Sequence, residues 1–182
     1  MVCAHHLLGA PNYLLTYGVM VLARLPSSGA HTPFLAIPIL FVTFFILGTG
    51  EELGWMGYAA DPMQERRSAL TTDIVLGLVR AIWHFVPLIQ MGRTLTWIAW
   101  WTLSTVALRI LIVWLYNNTG KSVFAAIVFH ATSNLSLPAF PMDYDRASVQ
   151  FTLGTIIAMA AVIVSFLWGS KTLARFRYAG LR

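Results

Sequence analysis

The chain reads as an all-α membrane protein, a multi-pass bundle of about six helices closing on a buried polar chamber near mid-membrane. Three observations predict this. Of 182 residues, 58% are hydrophobic and only 10% charged, against roughly 45–50% and about 25% in soluble domains, and the mean hydropathy is +0.70. The apolar residues fall into six stretches separated by short breaks rich in Pro, Gly, Asn, Ser or charge. At about 20 residues per crossing, six crossings consume about 120 residues, which leaves short loops and makes residues 1–182 a single membrane domain. The few ionisable residues inside those stretches recur at one depth, and that defines the chamber.

The stretches run over 7–25, 34–58, 73–90, 95–116, 122–137 and 150–169. Pro11 and Asn12 interrupt the first, which lacks the basic start and small-residue cleavage site of a signal peptide. The second begins after Pro33 and is expected to stop near Ala60, because Pro62 disfavours helical geometry at Asp61. Asp73 is expected to cap the third. The fourth carries Trp97, Trp100, Trp101, Trp114 and Tyr116 mainly toward its ends, the placement of an interfacial belt. Asn117-Asn118-Thr119-Gly120 is a turn before the fifth, and Pro138, Pro141, Asp143 and Asp145 make the last loop. In the sixth, Gly154, Ala158, Ala160 and Ala161 are small residues suited to close helix packing.

Charge speaks to orientation rather than to nucleic acid. The net charge is +5, but the basic residues sit at helix ends and in the tail, without the clustered face a phosphate backbone requires, so no nucleic-acid partner is expected. Lys171, Arg175, Arg177 and Arg182 place the C-terminus in the cytoplasm, and counting back through six helices puts Lys121, Arg66 and Arg67 there too. Arg24, Arg93 and Arg146 fall outside, and both termini are expected to be cytoplasmic. The single Cys3 excludes an intramolecular disulfide or a cysteine-built metal site. His5 and His6 read as an N-terminal interfacial pair and His31 as solvated in an outer loop. Short loops and the lack of a targeting sequence point to a prokaryotic origin, and the expected location is a bacterial cell membrane.

Ionisable side chains inside a crossing cost about 2.5–3.5 kcal/mol each, so they face a cavity or a partner. Here they are Glu51, Glu52, Arg80, His84, Arg109 and His130, with Asn134 as a polar companion. At 1.5 Å per residue, Glu51 lies roughly 14 Å from Ala60, His84 about 16 Å from Asp73 and His130 about 12 Å from Ser122, one layer near mid-membrane. His130 and Asn134 share a helix face, as do Arg80 and His84. Two carboxylates, two imidazoles and an amide in one chamber suit metal-assisted or general-base hydrolysis. Proton or ion transport uses the same groups, and simple pairing between helices is a third reading. Arg109 is expected to pair with a polar group or snorkel, and takes no catalytic role.

Three segments carry a resemblance: Glu51-Glu52-Leu53-Gly54-Trp55-Met56-Gly57-Tyr58, Arg80-Ala81-Ile82-Trp83-His84, and Ser122 through Asn134, which contains His130-Ala131-Thr132-Ser133-Asn134. In order and on separate helices, they resemble the motifs of the CPBP intramembrane proteases, the family of the CAAX prenyl endopeptidase Rce1, also called Abi. The similarity covers about residues 34–137. It implies an endopeptidase in which Glu51 is the general base on water, helped by His84, while His130 and Asn134 stabilise the oxyanion and Glu52 orients its neighbours. It further implies a peptide or lipidated-protein substrate, prenylated at its C-terminus in eukaryotic members. Two His and two Glu can ligate zinc, with Glu51, His84 and His130 the expected ligands if a metal is present, or can activate water without it.

Two positions depart from the family pattern: Met56 stands where the first motif has arginine, and Arg80 where the second has phenylalanine. A lost motif arginine points to an inactive relative acting as a binding or immunity protein. A small transporter subunit is the reading from another class, although no inverted repeat is visible. Arg80, one turn from His84, can supply the missing charge from another helix, and it is expected to pair with Glu52 and leave Glu51 free.

Overall fold

A computed structural model describes residues 9–24 and 32–174; Cys3, His5, His6, His31, Arg175, Arg177 and Arg182 lie outside them. The described residues are all-helical: α1 (Gly9–Leu22), α2 (Ala36–Gly54), α3 (Ala60–Arg66), α4 (Ala69–Gln90), α5 (Leu95–Asn118), α6 (Val123–Ala139) and α7 (Ala147–Trp168). A π-helical stretch, Trp55–Ala59, joins α2 to α3 without a break, so the elements form six rods. Four of these are long and apolar enough to cross a bilayer: Ala36–Arg66, Ala69–Gln90, Leu95–Asn118 and Ala147–Trp168. The apolar helices Asn12–Leu22 and Val123–Ala139 are shorter.

Two boundaries differ from the sequence expectation. The second rod does not stop at Ala60 but runs on to Arg66. Pro62 falls in the first turn of α3, where a missing N–H is tolerated, and the wider π turn upstream, in which the Ala60 N–H donates to the Trp55 carbonyl, carries the chain past it. Asp73 does not cap the third crossing. Ser68 does, with extended backbone and its Oγ accepting from the Thr71 N–H at 3.1 Å, so the helix starts earlier and Asp73 is swallowed into its buried face. Thr94 and Ser122 cap α5 and α6 in the same way.

Helix α5 is the central post, packed between α4 and α7, while α2 packs on α6 and α1 leans on α6 and α7. Close approach is set by glycine. A Cβ on Gly77 would lie 2.8 Å from the Val106 Cα, and one on Gly154 would lie 3.0 Å from both the Ser104 Oγ and the Trp100 carbonyl oxygen. These contacts hold α4 and α7 against α5, and Gly154 is one of the small residues expected to do so. Because α5 is central, Trp97, Trp114 and Tyr116 are buried in protein; this corrects the reading of these three as part of an interfacial belt. Large apolar side chains instead face outward from the other rods, among them Ile39, Val42 and Ile46 on α2, Ile82 and Val86 on α4, and Val162, Ile163 and Phe166 on α7, the surface a bilayer would cover.

The two ends of the bundle carry different chemistry. At one end Lys121 pairs with Asp61, Asn117 bonds Gln64 and the Thr172 carbonyl, and the Ala69 N–H donates to the Lys171 carbonyl. That gathers Arg66, Arg67, Lys121 and Lys171 on one face. At the other end Arg93 pairs with Asp145 and Arg146 with Asp143.

Candidate active site

Adjacent residues on a helix point about 100° apart, so Glu51 and Glu52 address different neighbours. Glu52 points into the interior between α5 and α6 and is fully buried. Arg109 Nη1 donates to its Oε1 at 3.0 Å and its Oε2 at 2.7 Å, and His130 Nδ1 lies 2.8 Å from Oε1. Glu51 points toward α4, where Arg80 Nε donates to its Oε2 at 2.8 Å. The expected Arg80–Glu52 pair is therefore not formed. Arg109 meets Glu52 from the central helix, and Arg80 meets Glu51. Each carboxylate thus has its own cation, which is how two adjacent carboxylates coexist in a low-dielectric interior.

The hydrogen bonds assign the imidazole tautomers. A carboxylate that already receives two Arg109 contacts is an acceptor, so His130 Nδ1 carries the hydrogen. Its Nε2 then presents a lone pair, facing Arg80 Nη2 at 3.3 Å, and a guanidinium can only donate. His84 Nδ1 donates to the Arg80 carbonyl at 2.8 Å, which leaves its Nε2 an acceptor as well. Packing fixes both rings. His130 rests on Gly48, whose added Cβ would sit 3.7 Å from the ring, and His84 lies between Trp83 and Trp101 at centroid distances of 5.0 and 5.4 Å.

A cavity of about 650 Å³ opens beside these groups. Glu51, Arg80, His84 and Asn134 form its polar end, and Leu88, Trp97, Trp101 and Leu108 part of its apolar wall. Trp97 is anchored by its indole N–H on the Tyr144 carbonyl at 2.8 Å, and the Tyr144 hydroxyl donates to the Ser136 carbonyl at 3.2 Å. Burial pushes the pKa of that loop hydroxyl above the ordinary tyrosine range, so it remains a donor. Glu51 also lines a second cavity of about 400 Å³, bounded by Gly50, Gly54, Trp55, Tyr58 and Trp83. It is reached from both.

Glu51, Glu52, His84, His130 and Asn134 thus lie around one centre, with Arg80 at its middle. Arg109, expected to pair with a polar group or snorkel, pairs with Glu52 and through it joins the polar centre. An arginine in the middle of a crossing, with no acid on its own helix, must find one on another, and that was the available signal. The residues proposed for zinc do not gather as ligands: among the described residues, no three His, Cys, Asp or Glu side chains come close enough to hold a metal ion. A guanidinium stands between Glu51 and His130, where it would repel a divalent cation.

Comparison with known proteins agrees with this geometry. Residues 33–136 match the family described as Type II CAAX prenyl endopeptidase Rce1-like, and that span contains every side chain of the polar centre. The "CAAX prenyl protease 2" of Methanococcus maripaludis is 31% identical over 139 residues, which cover 71% of this chain and 50% of that protein. The chain therefore spans about half the length of this curated relative. With a matched segment of more than half the chain and the paired carboxylates, both histidines and the asparagine at its centre, the chain belongs to the Rce1-like family of type II CAAX prenyl endopeptidases.

Proposed function

We propose that this chain is an intramembrane endopeptidase that hydrolyses a peptide bond near the C-terminus of a membrane-associated, prenylated substrate. The observation that supports this most is Glu51 itself: a carboxylate inside a bilayer-spanning rod, countered by Arg80, open to two cavities and flanked by His84 and Asn134. In this reading Glu51 takes a proton from water as the water oxygen bonds to the scissile carbonyl carbon. The carbonyl electron pair moves onto its oxygen, where the Asn134 amide donates. When the C–N bond breaks, the proton held by Glu51 passes to the leaving nitrogen, yielding a new carboxylic acid and a new amine, which ionise to carboxylate and ammonium in water. His84 Nε2, a lone pair on the same wall, assists at the water. Glu52 holds His130 in place.

The mixed wall of the larger cavity, polar at Glu51 and aromatic at Trp97 and Trp101, suits a peptide carrying an apolar chain, the substrate class named for the methanococcal CAAX prenyl protease 2. The basic end of the bundle is assigned to the cytoplasm by the positive-inside rule, in a prokaryotic cell membrane. These steps run through side chains alone, since Glu51 and His130 both engage Arg80.

The test is direct: purified protein in proteoliposomes with a farnesylated peptide ending in a cysteine-aliphatic-aliphatic-residue motif, the products read by mass spectrometry. Release of the C-terminal tripeptide supports the reading. Binding without cleavage would favour an inactive, substrate-holding relative, for which Met56 and the Arg80–Glu51 contact are the observations.

A further inference from the structure

We propose that Arg80, rather than His130, is the cation that meets the oxyanion, an assignment that rests on the peptidase reading above. An oxyanion needs N–H donors aimed into the site where the carbonyl oxygen will lie. His130 has none to offer there: its Nδ1–H is committed to Glu52, its Nε2 is a lone pair facing Arg80, and its side chain is 2% exposed and does not line the cavity. Arg80 has both the donors and the position. Its guanidinium carries five N–H groups, of which Nε serves Glu51 and one on Nη2 serves His130. The rest of the fork is free to face the cavity that Arg80 lines together with Asn134.

The arrangement places base and electrophile side by side. Glu51 Oε2 is 2.8 Å from Arg80 Nε, so a water held by Glu51 and a carbonyl oxygen held by Arg80 belong to one reacting unit. As the water oxygen bonds to the carbonyl carbon, one proton goes to Glu51 and the negative charge formed on the carbonyl oxygen is met by Arg80 and the Asn134 amide. Collapse returns the electron pair to the carbonyl, breaks the C–N bond and delivers the Glu51 proton to the departing nitrogen. The chain Arg109–Glu52–His130–Arg80 then has a purpose: the buried ion pair fixes His130, and His130 Nε2 fixes the guanidinium by accepting one of its hydrogens.

The experiment compares the wild type with Arg80→Gln and Arg80→Lys in proteoliposomes, using the prenylated peptide and a phosphinate analogue whose tetrahedral P–O⁻ replaces the scissile carbonyl. Arg80→Gln is expected to lower kcat by about 10²–10³-fold with KM changed by less than about threefold, and to weaken the phosphinate by a similar factor as kcat/KM. Since Arg80 also contacts Glu51, the pH profile separates the two roles. Recovery of Arg80→Gln to wild-type kcat at high pH would mean that Arg80 serves only the base, and overturns the assignment, as does an unweakened phosphinate. If Arg80→Gln fails to fold, Arg80→Lys decides: the lysine keeps the charge and loses the fork, so a loss of phosphinate affinity supports the assignment and wild-type affinity overturns it. A wild-type chain that cleaves nothing overturns the peptidase reading itself; an active wild type with an unaffected Arg80→Gln overturns this assignment alone.

Discussion

Arg109 and Glu52 form an ion pair sealed inside the bundle: Nη1 lies 2.7 and 3.0 Å from the two carboxylate oxygens, with side-chain exposures of 1% and 0%. Its partners come from α2 and α5, and through His130 it reaches α6. Removing one member leaves the other charge buried and unpaired, at a cost of about 3–5 kcal/mol. Arg109→Met should therefore lower the unfolding temperature sharply. Adding Glu52→Gln should recover much of that stability, because the uncompensated charge is gone, while leaving His130 less firmly held. Thermal unfolding of the purified single and double variants in detergent checks this; a double variant as unstable as Arg109→Met would refute it.

Glycine at position 77 is required by backbone proximity. With a Cβ placed 2.8 Å from the Val106 Cα, Gly77→Ala must push α4 away from α5, and overpacking of this kind costs about 1–3 kcal/mol. Gly50, whose Cβ would meet nothing within 4 Å, is the control. Gly50→Ala should leave the melting temperature nearly unchanged, and equal effects at the two positions would contradict the packing described here.

Much of this site is legible in the sequence, because a membrane makes polar residues conspicuous. Glu51, Glu52, His84, His130 and Asn134 stand out by depth and helical spacing; Glu51, His84 and Asn134 line one cavity, with Glu52 and His130 hydrogen-bonded to each other in the interior. What spacing does not disclose is which helix stands on which side of α2. With Arg80 and Arg109 both at chamber depth, either can be drawn to Glu52, and only the central position of α5 decides that Arg109 takes it and Arg80 takes Glu51. The same blindness to neighbours gives the α5 tryptophans the pattern of an interfacial belt, although Trp97 and Trp114 are buried. The run of the second rod through Pro62 is a different failure: it depends on the π turn at Trp55–Ala59, a local widening that leaves no mark in the hydrophobic pattern.

Topology follows from the basic end. Fusions of a cytoplasm-dependent reporter at Gly120 and after Arg182 should report the same side, and one at Asp145 the opposite side. Reporters at Gly120 and Asp145 on one side of the membrane would contradict the six-rod arrangement.

Chelation supplies a further check. Because the candidate ligands do not gather and a guanidinium stands between two of them, treatment with a strong zinc chelator should leave turnover of the prenylated peptide unchanged. Full loss of activity, restored by added zinc, would show that the polar centre rearranges around a metal.

The central claim is that Glu51 is the base. The most direct measurement is the single-turnover rate of Glu51→Gln on the farnesylated peptide in proteoliposomes, with binding measured in parallel. If Glu51 is the base, Glu51→Gln retains binding and an unfolding temperature close to that of the wild type, and its rate falls by at least about 10²-fold, the lower end of what general-base catalysis contributes. Turnover near the wild-type rate in Glu51→Gln would contradict it.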